Sequence, residues 1–105
     1  MANKSEPRLS YQMLRILSQF LESPSEGLAG ADIGKATGIM SGTVYPALAR
    51  LEQAGWLNSV WETLDPSEAG RPRRRLYRLT GAGSRKAIAA LKKLPFKSGR
   101  LVWES

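Results

Sequence analysis

The hydrophobic periodicity of the chain changes at Leu57 from a helical to an alternating pattern. Before this position, apolar residues recur every three or four positions in three stretches, which predicts three helices. In residues 57–62 and 74–79, apolar and polar residues alternate, which predicts two strands joined by a long loop. A fourth helical pattern begins after Thr80. This order predicts a mainly α fold with a small β-hairpin, namely a winged helix-turn-helix with a three-helix core, a wing and a C-terminal helix.

Residues that cap or interrupt helices define the expected boundaries of the first three helices. Ser10 can cap the first helix with its side-chain oxygen. The second helix is expected over about residues 30–37, and Gly38 suits the left-handed position after its end. Ser41 is expected to cap the third helix. Pro46 lies inside that helix and removes an amide donor, which indicates that its first turn has a special role.

Apolar spacing identifies the expected core positions of the later elements. The buried face of the third helix is expected to consist of Val44, Leu48 and Leu51. The apolar face of the last helix, which Thr80 can cap and Pro95 ends, is expected to consist of Ile88, Leu91 and Leu94. Residues 63–72 contain proline, serine and glycine and are expected to form an irregular loop, and residues 28–29 a very short strand.

The charge of the chain indicates an anionic partner. Its 105 residues include 16 lysines and arginines and nine acids, so the net charge is +7, and the isoelectric point is about 10.3. An isoelectric point above about 9 in a small domain is typical of nucleic-acid binding. Five arginines lie within residues 71–78 with no acid among them, namely Arg71, Arg73, Arg74, Arg75 and Arg78. Because close like charges repel by about 1 kcal/mol per pair even in water, an anionic partner explains this concentration.

Several functional classes lack the residues they require. The chain has no cysteine and no histidine, so thiol chemistry, disulfides and the commonest general base and metal ligand are missing. It also has no glycine-rich phosphate loop and no apolar run of about 20 residues that could cross a membrane. Residues 1–8 do not resemble a secretory signal. We therefore expect a protein of the cytoplasm, associated with the nucleoid, that is not an enzyme and needs no cofactor or metal.

Two segments carry a resemblance to a known family. Residues 41–57 read SGTVYPALARLEQAGWL and closely resemble the recognition helix of PadR-type regulators. Residues 70–83 read GRPRRRLYRLTGAG and resemble the wing and the following helix of the same family. The resemblance covers about residues 9–92. The chain departs from the family pattern at Gly81, where an acid is usual, and after Pro95, where the family usually has a longer helical region.

The resemblance implies a homodimer that binds a pseudo-palindromic site in double-stranded DNA. Residues 1–8 are then a flexible lead-in, residues 9–79 the DNA-binding domain, and residues 80–105 a C-terminal helix and tail used for dimerisation. The expected function is sequence-specific regulation of transcription, with the chain acting as a repressor. Helix 41–54 is expected in the major groove, and the arginine-rich wing 63–75 on the backbone or in the minor groove.

The geometry of a helix-turn-helix selects the candidate DNA-contacting residues. The N-terminal residues of the recognition helix reach base edges or phosphates, and arginines of the wing reach the backbone. The candidates are Ser41, Gly42, Thr43, Tyr45, Arg50, Arg71, Arg73, Arg74 and Arg75. Three of these candidates have a structural alternative. Ser41 can act as a pure helix cap, Tyr45 can lie at the edge of the core, and Arg50 can be a solvated arginine.

Other partners are compatible with the same residues. The basic surface also suits a winged-helix module that binds an acidic protein or RNA. A small-molecule inducer could act through Trp56, Trp61 or Trp103, although a place in the core or at an interface is the commoner role for a tryptophan.

Overall fold

Five helices and two strands make up the parts of the chain that the computed structural model describes, residues 6–22 and 27–93. In chain order they are α1 (Tyr11–Glu22), α2 (Gly30–Thr37), α3 (Ser41–Gln53), β1 (Leu57–Trp61), α4 (Pro66–Ala69), β2 (Arg75–Leu79) and α5 (Gly81–Lys92). This arrangement confirms the predicted fold class. No helix within these residues is long and apolar enough to cross a membrane. Of the residues singled out above, Leu94, Pro95 and Trp103 lie outside the described ranges.

Local side-chain and backbone contacts fix the ends of α1 and α2 as the sequence predicts. Ser10 caps α1, because its Oγ accepts a hydrogen bond of 3.1 Å from the amide of Met13. Gly38 follows α2 with a φ of 77°, and its amide donates to the carbonyl of Gly34 at 2.8 Å. The left-handed conformation is open to glycine without the penalty that a Cβ atom brings.

The start of α3 differs from the prediction by one residue. Met40 occupies the N-cap position in an extended conformation, and Ser41 is the first helical residue. The amides of Thr43 and Val44 donate to the carbonyl of Met40, and no side chain caps the helix. The prediction that Ser41 caps α3 is therefore wrong. Its side chain is exposed at the first helical position instead of satisfying the backbone.

The two strands form an antiparallel hairpin whose register aligns Leu57 with Leu79 and Trp61 with Arg75. Leu28 adds a one-residue bridge on the other side of β2, with both backbone hydrogen bonds to Tyr77 at 2.9 Å. This contact matches the very short strand expected at residues 28–29. It attaches the hairpin to the segment that leads into α2.

The loop between the strands is more ordered than expected, because it contains the short helix α4. Asp65 caps this helix by accepting the amide hydrogen bond of Ser67 at 3.0 Å, and Pro66 takes the first helical position. Gly70 ends it with a φ of 73°. The prediction of an irregular loop over residues 63–72 is therefore wrong for this part of the wing.

Helix α5 packs through its small residues. Thr80 caps it as predicted, since its Oγ1 accepts from the amide of Gly83 at 2.8 Å. Gly83 and Ala87 are buried, whereas Ile88 is 43% exposed. A Cβ atom on Gly83 would collide with the backbone of Trp56. The predicted burial of Ile88 is therefore wrong, whereas Leu91 of the same predicted face does pack against the core.

The core lies between α1, α2, α3 and the hairpin. Val44, Leu48 and Leu51 of α3 are fully buried, as predicted. They pack with the apolar stripe of α1 and with Trp56 and Leu57. This packing fixes the orientation of α3, so that the opposite face of the helix is presented to solvent.

Candidate nucleic-acid interface

The first turn of α3 is a solvent-exposed surface. The side chains of Ser41 and Thr43 are exposed, and no neighbouring atom lies within 4 Å of the position that a Cβ atom on Gly42 would take. Val44, the next residue, is fully buried and anchors the turn to the core. The turn therefore offers two hydroxyl groups and an uncovered stretch of backbone on a rigid support.

Tyr45 combines a structural contact with exposure. Its ring lies against Gly30 at the start of α2, where a Cβ atom would overlap the ring. The residue is nevertheless 48% exposed. Tyr45 thus fixes α3 against α2 and presents the rest of its ring beside the exposed first turn. Further along the same helix, Arg50 is also exposed.

Glu62, at the base of the wing, pairs with the first arginine of the basic segment. Arg71 donates from Nη1 to Oε1 of Glu62 at 2.8 Å and from Nη2 to Oε2 at 3.1 Å. Such a two-pronged contact is the strong geometry for an arginine and a carboxylate. The hydrogen bonds from Arg71, together with the backbone hydrogen bond from Arg74 and the charges of both arginines, lower the pKa of Glu62 from 4.5 to about 2.

Arg74 connects the wing to α2. Its Nη1 lies 3.3 Å from Oδ1 of Asp32, and its backbone amide donates to Glu62 at 2.9 Å. The other carboxylate oxygen of Asp32 accepts from the amide of Ala29 at 3.0 Å and so caps α2. One carboxylate therefore holds both the start of α2 and the base of the wing.

Arg75 lies along the hairpin toward the end of α3. Its Nε donates to Oγ of Ser59 at 2.8 Å, and its Nη2 lies 3.8 Å from a carboxylate oxygen of Glu52. The guanidinium is also 5.6 Å from the ring centroid of Trp61, within the range of a cation–π contact. Arg75 is therefore engaged on the face of the hairpin.

Three of the wing arginines have acidic neighbours from other parts of the chain, so the expectation that their charges are left to repel one another is wrong for them. Arg71, Arg74 and Arg75 each lie within 4 Å of a carboxylate, and these acids come from α2, from α3 and from the residue that follows β1. Arg73 donates from Nε to the carbonyl of Leu64 at 2.9 Å and forms no ion pair within residues 6–22 and 27–93. Arg73 therefore presents the least compensated positive charge of the four candidate arginines in the wing.

Glu62 was not predicted from the sequence as a partner of the wing arginines, although the register of the hairpin indicates this role. Pairing of Trp61 with Arg75 places Glu62 opposite Arg74 one step further along the ladder. The backbone confirms this step, since the amide of Glu62 donates to the carbonyl of Arg74 at 2.9 Å. Asp32 and Glu52 gave no such signal, because their approach depends on how the helices pack against the hairpin.

The fold defined by these elements is that of the winged-helix regulators, and the family model for the PadR-like transcriptional regulators matches residues 2–89. The chain therefore belongs to the PadR-like family of transcriptional regulators. This membership confirms the resemblance seen in the two sequence segments. It also identifies the chain as a transcriptional regulator and not an enzyme. Comparison with curated protein sequences gives no significant match.

Solved structures share the fold at low sequence identity. A PadR family transcription regulator from hypervirulent Clostridium difficile superposes with a TM-score of 0.66 at 24% identity, over 80% of this chain and 86% of that one. MepR from S. aureus, solved as a DNA complex, superposes with a TM-score of 0.63 at 23% identity, over 79% of this chain and 61% of the MepR chain. A variant of ZitR from Lactococcus lactis superposes with a TM-score of 0.64 at 21% identity, over 87% of this chain and 56% of the ZitR chain. The chain thus spans less than two thirds of the MepR and ZitR chains.

Proposed function

We propose that this chain binds double-stranded DNA sequence-specifically as a homodimer in the cytoplasm and represses transcription. The observation that carries the proposal is the exposed first turn of α3, which is held rigidly by Val44 and Tyr45. In a helix-turn-helix this turn enters the major groove. MepR, which has the same fold, was solved in complex with DNA.

Within this turn, the side chains have distinct roles. Thr43 and Ser41 donate hydrogen bonds to phosphates or base edges, and the methyl group of Thr43 suits contact with a thymine methyl. Gly42 allows the backbone to approach the DNA. Tyr45 contacts the DNA from the next position while its ring keeps α3 in place. Arg50 reaches the backbone further along the groove.

The wing contributes mainly through Arg73. Its charge is not offset by a carboxylate among the described residues. Arg71, Arg74 and Arg75 stabilise the conformation of the wing through their ion pairs with carboxylates. Because these carboxylates offset part of their charge, the three arginines contribute less to the positive potential of the wing. Contacts of the wing with the backbone or a narrow minor groove would stabilise the complex without reading every base.

Dimerisation through α1 and α5 is supported by apolar side chains that the described fold leaves uncovered. Tyr11 is 47% exposed and Ile88 is 43% exposed. A dimer would place two α3 helices about 34 Å apart, one turn of DNA. Sedimentation equilibrium of the chain at micromolar concentration tests this part, and a monomer both free and bound to DNA would contradict it.

The DNA-binding proposal is tested with variants at the first turn of α3. A duplex selected from a random library is titrated with the wild type, Thr43→Ala and Arg73→Ala by fluorescence anisotropy. Thr43→Ala is expected to weaken the selected duplex more than a scrambled one, whereas Arg73→Ala should weaken both equally. Equal binding by all three proteins would refute the assignment of α3 and the wing. Preference for a double-stranded RNA or an acidic polypeptide over any DNA would indicate a different partner.

A small-molecule inducer is a further element of the proposal. Trp61 is 59% exposed on an open surface that it forms with Pro66, Pro72 and Arg73, whereas Trp56 is buried in the core. Of the two tryptophans, Trp61 is therefore the one accessible to a ligand.

A further inference from the structure

A second basic surface lies outside the wing, in a cleft between the start of α1 and the exposed face of α3. Its volume is about 330 Å³. The floor of the cleft is apolar and consists of Met13, Ile16 and Ala47. The rim is polar and consists of Arg8, Ser10, Gln12, Thr43 and Arg50, all of them exposed.

The two arginines of the rim lack carboxylate partners within the described residues. Arg8 precedes α1 and Arg50 belongs to α3, so two segments that are distant in sequence bring positive charge to one cleft. Neither side chain lies within 4 Å of an acid in residues 6–22 and 27–93, in contrast to Arg71, Arg74 and Arg75 of the wing. The cleft therefore combines two uncompensated cations with hydroxyl donors, which are groups suited to an anion.

We propose that one phosphate group of the DNA backbone occupies this cleft between Arg8 and Arg50. The inference rests on the proposed function, because Thr43 lines the cleft and also belongs to the first turn of α3. A phosphate that flanks the groove entered by α3 would therefore come next to the rim. Ser10 supports the assignment: its Oγ accepts the amide hydrogen bond of Met13, so its own proton is free to be donated.

The consequence is a clamp that sets the position of α3 along the DNA. Phosphate contacts fix the register and orientation of a protein on the duplex, whereas base contacts read the sequence. Arg8 is a positioning residue in this clamp, since it would hold the backbone at one end while α3 reads the groove. The Arg8–Arg50 pair would act together on the same phosphate.

A double-mutant cycle with a salt series tests the clamp. Binding of the full chain to a selected duplex is measured for the wild type, Arg8→Ala, Arg50→Ala and the double variant. Each single substitution is expected to weaken selected and scrambled duplexes alike, by about tenfold, the effect of losing one hydrogen bond to a charged group. The loss of affinity in the double variant should be smaller than the product of the two single losses. The slope of its salt dependence should fall by about one, the value for one phosphate.

Neutral phosphate analogues make the test more specific. A single methylphosphonate, which carries no charge, is placed at one position of the duplex at a time. The position at which Arg8→Ala no longer lowers the affinity should be the same position at which Arg50→Ala no longer lowers it. Arg85→Ala on α5 is the matched control for lost positive charge and should change neither affinity nor slope beyond the general charge effect. Thermal unfolding verifies that every variant is folded.

The outcomes separate this inference from the proposed function. If the wild type binds the selected duplex but Arg8→Ala binds equally well, the clamp is refuted and the DNA-binding proposal stands. A salt slope that falls by about two in the double variant, or different methylphosphonate positions for the two arginines, also refutes the shared phosphate. If the wild type shows no DNA binding, both proposals fail.

Discussion

Replacement of Gly42 by alanine should stabilise the protein and weaken its binding to DNA. No atom lies within 4 Å of the added Cβ in the free protein, and the residue has no positive φ that would disfavour a side chain. Alanine is favoured over glycine in a helix by about 0.5–1 kcal/mol. For a domain of this size, 1 kcal/mol corresponds to about 4–8 °C in Tm, so an increase of about 2–8 °C is expected.

The effect on binding has the opposite sign. If the backbone of the first turn of α3 lies against DNA, the new methyl group must be accommodated in a tight contact. Forcing an extra methyl group into close packing costs about 1–3 kcal/mol, and 1.4 kcal/mol is tenfold in affinity. We therefore expect Gly42→Ala to bind a selected duplex on the order of tenfold more weakly although it is more stable.

The matched control is Gly81→Ala at the first position of α5. Its nearest neighbour to an added Cβ is the end of the Arg85 side chain at 3.7 Å, an ordinary contact. This variant should also gain stability and should bind DNA like the wild type. Thermal unfolding followed by circular dichroism gives the first quantity and fluorescence anisotropy the second. Unchanged affinity of a stabilised Gly42→Ala protein would show that the first turn of α3 does not approach DNA closely.

Three further predictions concern stability. Gly83→Ala should destabilise the fold by about 1–3 kcal/mol in urea unfolding, because its methyl group meets the backbone of Trp56, and a gain in stability would refute the close packing of α5. Leu48→Ala removes a fully buried side chain and should cost about 2–5 kcal/mol, whereas a cost below 1 kcal/mol would contradict its burial. Glu62→Gln tests the pairing with Arg71. The pKa of Glu62 is lowered to about 2 in the folded protein. Its contribution to the free energy of unfolding is therefore full above pH 4.5 and is lost as the pH falls toward 2. The difference in unfolding free energy between wild type and Glu62→Gln should therefore shrink as the pH is lowered from 7 to 3, and a constant difference would refute the pairing.

Local signals made most of the fold predictable. Ser10, Gly38 and Thr80 act on amides or backbone angles within a few residues, so their roles follow from the sequence alone. The same kind of signal also marks α4, since Asp65 and Pro66 begin a helix that Gly70 ends. Proline, serine and glycine are common in irregular loops, and this general tendency obscured the specific capping pattern.

Contacts between elements account for the features that the sequence did not predict. Gly83 is buried by the close approach of α5 to Trp56, and Ala87 is buried as well, whereas helical spacing alone favours the larger Ile88. The wing arginines have no acids within their own segment, yet Asp32 and Glu52 reach them from α2 and α3. The cleft beside Arg8 likewise arises only when α1 and α3 are packed together.

Helix α3 and the wing are proposed to bind duplex DNA with sequence preference. The most direct measurement is the affinity of the chain for a duplex selected from a random library and for its scrambled counterpart, over a salt series. We predict tighter binding of the selected duplex, with a slope of about −0.9 for each phosphate contacted. Equal, weak binding of both duplexes that disappears near physiological salt would contradict the claim.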